Sequence, residues 1–175
     1  TMETFVLLLY ACGLRRGEAI SLKIEDVDFE QGCLSLWKTK FHKERLVSFS
    51  PAVGQKLQAY LARRKKARLP ARLADPFFAH PGGKYSNGGI QQRFYLLLAH
   101  CGMTKSGRGG PRLHDLRHAF AVHRLYKWYQ EGRDILNKLP LLSTYMGHVN
   151  IENTQVYLTI TQALLREGDR RFQRG

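Results

Sequence analysis

The chain has 175 residues, 43% of them apolar, which is enough for one domain with its own core and too apolar for a disordered segment. Lys and Arg number 28 against 14 Asp and Glu, and the net charge of +14 points to a polyanionic partner. Cys12, Cys33 and Cys101 are odd in number and far apart, which argues against a disulfide framework or zinc knuckle and suits a reducing, cytosolic compartment. The longest apolar run, from Phe5 to Cys12, is too short to span a bilayer and lacks the basic start of a signal peptide, so no membrane association is expected.

Phe5, Val6, Leu8, Leu9 and Tyr10 predict a strongly apolar helix that stops at Gly13. The chain opens on Thr1-Met2-Glu3 directly into this pattern, as expected of a fragment whose N-terminal part is missing. Arg15 stands at the joint with a short second helix over residues 17–22, and such joints suit ligand contacts. Glu18 reads as a first-turn helix residue that could also orient an arginine. Residues 26–49 then change period. Residues 27–29 form a strand and 30–32 a turn, and residues 33–37 and 45–49 alternate like paired strands. The basic link between those two, residues 38–43, forms a hairpin tip.

Ser50-Pro51 predicts a helix start, with Ser as cap and Pro at the first position. Val53, Leu57, Tyr60 and Leu61 give that helix one apolar face, and it ends in Arg63-Arg64-Lys65-Lys66, read as a solvated helix end or a DNA contact. Asp75-Pro76-Phe77-Phe78 is a short buried stretch, and Pro81-Gly82-Gly83 is a turn. Ser86-Asn87 caps a helix with Ile90, Phe94, Leu97 and Leu98 on its core face. Residues 102–112 form a glycine-rich basic loop carrying Lys105, Arg108 and Arg112. It lacks Walker spacing, which leaves a phosphate-touching loop or plain flexibility.

His114 opens a helix to about residue 132, with Leu116, Ala119, Val122, Leu125 and Tyr129 as its buried stripe. His114 and Arg117, three apart, share a face. A further helix covers 141–146 and stops at Gly147, and another from about 151 carries Tyr157. Residues 161–171 read as a last basic helix. There is no internal repeat, low-complexity tract or second domain.

Two histidines, an arginine and a tyrosine in one segment suit a site that grips a phosphate and attacks it with a phenol. Cleaving a phosphodiester without a metal needs a nucleophile, cations on the non-bridging oxygens and an acid for the departing oxygen. Arginine offers a planar, always-charged fork, and histidine can donate a hydrogen bond or move a proton. A lysine on a hairpin tip can reach the leaving oxygen. A tyrosine, with an ordinary pKa of about 10, becomes a nucleophile when nearby cations stabilise its phenolate. The covalent phosphotyrosine conserves bond energy, so strands can be rejoined without ATP. His114 and His118 are four apart, but the zincin Glu is absent, so no metal or other cofactor is expected.

The order of these boxes resembles the catalytic domain of the tyrosine recombinase (phage-type integrase) family. Gly13-Leu14-Arg15-Arg16-Gly17-Glu18 resembles its first arginine box, although Arg16-Gly17 replaces the more usual residues before Glu18, and either Arg15 or Arg16 could face phosphate. Position after Gly-Leu favours Arg15. Lys40 resembles the hairpin lysine, His114-Asp115-Leu116-Arg117-His118 the H-x-x-R box and Gly147-His148 the following G-H. Tyr157, nine residues after His148, sits at the nucleophile spacing. The likeness runs from about residue 5 to 165. The stretch from Tyr126 to Pro140 is longer than in the short members and resembles a subgroup found on mobile elements and plasmids.

The resemblance implies an α+β, mainly α fold: one catalytic domain over 1–175, of helices with a small antiparallel three-stranded sheet, without the usual N-terminal DNA-clamping domain. It implies that Arg15, Arg117 and His148 hold the scissile phosphate, His114 is the acid/base beside them, Lys40 protonates the 5′ oxygen and Tyr157 forms the 3′-phosphotyrosine. Lys38, Lys43, Arg45, Lys105, Arg108 and Arg112 are candidate DNA contacts. The implied partner is double-stranded DNA, with four protomers on paired sites and a monomer free in solution, in a prokaryotic cytoplasm. The last helix is a candidate for packing on a neighbour. Type IB topoisomerase-like relaxation and a catalytically inactive DNA-binding module are the alternatives. The complete residue set argues against the second.

Overall fold

The computed structural model describes residues 1–37, 44–103, 110–147 and 156–157. It divides the chain into two compact units, Thr1–Arg117 and His118–Gly175. The hairpin tip, the central part of the glycine-rich loop, His148 and the last basic helix lie outside the described residues.

In the first unit, helix α1 (Met2–Cys12) ends at Gly13, whose φ of 63° and ψ of 27° are left-handed values that glycine adopts without strain. Phe5, Leu8, Leu9 and Cys12 of α1 are all buried, and burial pushes the Cys12 thiol up to about 12, so it is inert packing. Helix α2 (Arg16–Ser21) follows after three residues and buries Ala19 and Ile20. A three-stranded antiparallel sheet comes next: β1 (Val27–Asp28), β2 (Cys33–Leu36) and β3 (Arg45–Ser48), in that order. Its register pairs Val27 with Leu34 and Leu34 with Val47, three side chains that share the buried face. The β1–β2 turn is held by Asp28 Oδ1, which accepts from the Glu30 and Gln31 amides at 2.9 and 2.8 Å.

Helix α3 (Pro51–Lys66) starts at the expected cap, where Ser50 Oγ accepts from the Val53 amide. Its basic end corrects the sequence reading. Arg63, Lys65 and Lys66 are exposed, but Arg64 is 2% exposed. Positions 53, 57, 60 and 64 fall on one helical face, so Arg64 continues the apolar stripe inward. Its guanidinium donates to the carbonyls of Pro70, Pro76 and Phe77. These carbonyls belong to the segment that brings Phe77 and Phe78 into the core, each fully buried. Their rings lie 5.1 Å apart, and Phe78 packs edge-on against Phe5, also at 5.1 Å. The Phe77 amide donates to the Leu22 carbonyl at 2.6 Å, tying the same segment to the end of α2. A small hairpin, β4 (Ala79–His80) and β5 (Gly83–Lys84), leads to α4 (Asn87–His100), which Ser86 caps and which buries Ile90, Phe94 and Leu98.

Helix α5 spans Leu113–Gln130. Its buried positions are Leu113, Arg117, Phe120, Ala121, Val122 and Leu125, whereas Tyr129 is 53% exposed. The face is rotated from the expected one because Arg117 itself occupies its centre. In the second unit, α6 (Ile135–Met146) begins six residues before the predicted start. Asp134 caps the helix and accepts from the Asn137 amide at 3.2 Å, so Pro140 lies inside it. Leu139, Leu142 and Met146 then carry one buried face across the proline. Helix α6 stops at Gly147 with φ 66°. These residues form a core with Phe120, Ala121, Val122 and Leu125 of α5 and with Tyr157.

Replacing Arg64 with Met keeps the stem of the side chain and strands three carbonyls. Urea denaturation should show a loss on the order of 3 kcal/mol. A loss below about 0.5 kcal/mol, the scale of ordinary surface changes, would mean the buried guanidinium is not what anchors the Phe77–Phe78 segment.

Candidate active site

In the first unit, the first arginine box begins a helix in a specific way. Arg15 is the N-cap of α2 and Glu18 is its third residue. Glu18 Oε2 accepts from the Arg15 amide at 2.7 Å, and Oε1 accepts from Arg15 Nη1 at 2.9 Å. The carboxylate therefore both caps the helix and fixes the arginine beside it. From the sheet, Arg45 presents a two-pronged fork, with Nη1 to Oε1 and Nη2 to Oε2, each 2.9 Å. Arg117 Nη1 lies 4.0 Å from Oε2 and also donates to the carbonyl of Gly13, at the C-terminal end of α1. Side-chain exposure is 25% for Arg15 but only 8% for Glu18, 9% for Arg45 and 2% for Arg117.

One carboxylate thus faces three guanidinium groups, and the four side chains together carry net positive charge. Burial alone would raise the pKa of Glu18. The hydrogen bonds and charge of Arg45, then the backbone and side-chain bonds of Arg15, outweigh it and hold the carboxyl below its ordinary value. An open groove lined by Arg15, Glu18, Ser21, Lys23, Ser35 and Trp37 lies beside the cluster. Arg16 is turned elsewhere and donates to Gln91 of α4 at 3.1 Å. The two candidates for the first arginine are therefore separated: Arg15 stands in the cluster and Arg16 does not.

The H-x-x-R box starts α5 with the same device. The Asp115 carboxylate accepts from the Arg112 amide at 2.8 Å and pairs with the exposed Arg112 guanidinium at 2.9 Å. His114 is exposed on the first turn, whereas Arg117 is buried one turn on.

In the second unit, Tyr157 is 3% exposed within the apolar cluster of α5 and α6. Its hydroxyl lies 2.7 Å from His118 Nδ1, and the two rings are 5.4 Å apart and tilted by 54°. Lys38, Lys40, Lys43, Lys105, Arg108 and His148 lie outside the described residues. The described residues contain no group of three or more His, Cys, Asp or Glu side chains able to hold a metal, and no helix among them is long and apolar enough to cross a membrane.

Sequence reasoning assigned no site role to Arg45 beyond a DNA contact and none to His118 beyond a rejected metal pair. The signal for Glu18 was present, since a carboxylate three residues after a helix cap is a capping signature. The signal for Arg45 was its alternation with Val47, which puts it on the buried face of β3, but that does not reveal a partner 27 residues away.

Glu18→Gln removes the carboxylate charge that faces three guanidinium groups, two of them almost wholly buried. At neutral pH it should cost on the order of 3 kcal/mol in urea denaturation. Because folding lowers the Glu18 pKa, its stabilisation is complete above the ordinary value of 4.5 and fades as pH falls through the lower, folded value. The gap between wild type and Glu18→Gln should accordingly shrink in acid below that value. A gap independent of pH would remove the carboxylate charge from the explanation.

Comparison with known proteins places the chain in a family. The sequence profile of the phage integrase family matches residues 1–163. The Sinorhizobium fredii protein y4rB is 42% identical over 170 residues, which cover 95% of this chain and 54% of y4rB. The tyrosine recombinase XerD of Ralstonia nicotianae is 33% identical over 159 residues, 91% of this chain and 48% of XerD. The crystal structure of XerA recombinase superposes with a TM-score of 0.76 at 25% identity, covering 98% of this chain and 57% of that one. The chain thus spans about half the length of the curated relatives it matches. The profile matches 163 of the 175 residues, and the chain belongs to the phage integrase family.

Proposed function

We propose that this chain cleaves and rejoins DNA strands at specific sites through a covalent 3′-phosphotyrosine, serving integration or recombination of a mobile element. The observation that carries this reading is the cationic cluster around Glu18, built from the two arginines, Arg15 and Arg117, that the family boxes single out. A phosphodiester is the anion that suits such a cluster. Its two non-bridging oxygens match guanidinium forks, and the charge that builds on them during attack meets cations already in place. Because Glu18 and the protein fold hold these groups before substrate arrives, little reorganisation is needed at the moment of reaction.

The roles follow the chemistry of each side chain. Arg15 and Arg117 hold the phosphate with His148, and His114 supplies a hydrogen bond or proton beside them. Arg45, with its fork on Glu18, acts by fixing that carboxylate. Tyr157 attacks phosphorus, and Lys40 gives the 5′ oxygen its proton. Lys38, Lys43, Lys105, Arg108 and Arg112 supply backbone contacts along the duplex, where each neutralised phosphate releases counterions. Double-stranded DNA is the partner, met by four protomers on paired sites within a prokaryotic cytoplasm. The net charge of +14 favours capture of such a polyanion.

Trapping on nicked suicide DNA from the ends of the host element tests this reading. The full-length protein should give a covalent band on a denaturing gel that persists in chelator and is absent with Tyr157→Phe. Arg15→Ala, a partly exposed change, should slow band formation by about 10²–10³-fold. DNA that binds yet never becomes covalently attached to wild-type protein would contradict the proposal.

A further inference from the structure

The phenol of Tyr157 has to lose a proton before or as it attacks, and the family boxes leave His118 without a part in the reaction. The described structure places the two together. Tyr157 is almost wholly buried among Phe120, Ala121, Leu125, Leu139, Leu142 and Met146. In these apolar surroundings its hydroxyl meets His118 Nδ1 at 2.7 Å, a short separation for a nitrogen–oxygen hydrogen bond. His118 is half-buried and follows Arg117 directly on α5, so the same helix that carries a phosphate-binding arginine also carries the imidazole at the phenol.

At rest the proton belongs to the tyrosine. A phenol is ordinarily a much weaker acid than imidazolium. That balance reverses during attack, because a phenolic oxygen forming a bond to phosphorus no longer holds its proton. A base already within hydrogen-bond distance can then take it without rearrangement.

Resting on the function proposed above, we infer that His118 is the proton acceptor for Tyr157 in strand cleavage. The bond from Tyr157 Oη to phosphorus forms while the phenolic O–H breaks and its proton passes to His118 Nδ1. The P–O5′ bond breaks, its electron pair leaves on the 5′ oxygen, and that oxygen takes a proton from a separate acid, the part assigned to Lys40. In rejoining, the 5′-hydroxyl gives its proton back to that acid and attacks phosphorus. The phosphotyrosine bond breaks and Nδ1 returns its proton to the phenolate. The imidazole must therefore begin with its own proton on Nε2.

Single-turnover cleavage of suicide DNA by the full-length protein tests this step with His118→Asn and His118→Phe. Asn keeps a hydrogen-bonding group near the Nδ1 position but cannot carry the proton, and Phe keeps the ring volume. Both variants should bind DNA like wild type and cleave about 10²-fold more slowly or worse; His118→Asn, which keeps a partner for the Tyr157 hydroxyl, should melt near the wild-type temperature, and His118→Phe, which strands it, somewhat lower. A substrate with sulfur in place of the bridging 5′ oxygen needs no acid for its leaving group. It should restore Lys40→Ala and leave His118→Asn slow. Cleavage by His118→Asn within about three-fold of wild type would reduce His118 to a positioning contact, well short of the usual general-base effect. Rescue of His118→Asn by the sulfur substrate would move it to the leaving oxygen; either result overturns the inference. Wild-type protein that forms no adduct on DNA it binds would instead overturn the proposed function beneath it.

Discussion

The carboxylate of Glu18 is the constraint on which the first unit's chemistry depends. Three guanidinium groups that would repel one another are brought together around it, two of them nearly removed from water. Removing an arginine from water is costly unless it is paired and hydrogen-bonded, and the bidentate Arg45 fork and the Arg117 bond to the Gly13 carbonyl supply such bonds. Three elements of structure converge on one anion: the start of α2, the third strand of the sheet and the first turns of α5. The left-handed turn at Gly13 serves the same end, because it stops α1 where its terminal carbonyl can accept from Arg117.

The second unit solves a different problem. A tyrosine side chain in an apolar cluster gains packing energy, but its hydroxyl must be satisfied. His118 satisfies it, and the cluster around α5 and α6 fixes the ring. Both α2 and α5 open with an arginine cap whose amide is bound by a carboxylate three residues on, Glu18 in one and Asp115 in the other. The two helices that carry the arginine boxes are thus started by the same local rule, although Glu18 is buried and Asp115 is partly exposed.

Much of this is legible in the sequence. Ser50-Pro51, Ser86 and Gly13 are local signals whose effect does not depend on distant residues, and each marks the boundary it predicted. The alternation in 33–36 and 45–48 likewise paired as expected. The readings that failed involve residues that serve two masters. Arg64 and Arg117 are charged yet occupy the centre of apolar faces, so counting hydrophobic residues alone rotated α5 and mislabelled the end of α3. The helix expected over 141–146 starts six residues earlier, because the Asp134 cap and the Leu139–Leu142–Met146 face carry it through Pro140. The site boxes were legible as chemistry, but the partners of Glu18 are 27 and 99 positions away, and no spacing rule reaches that far.

Which atom becomes joined to DNA decides whether Tyr157 is the nucleophile. Protein trapped on its own DNA can be digested and the modified peptide sequenced by mass spectrometry. A phosphonucleotide on Tyr157 linked through its 3′ phosphate, with a free 5′-hydroxyl on the released strand, is the result predicted. A nucleotide on any other side chain, or a linkage through the 5′ phosphate, would contradict it.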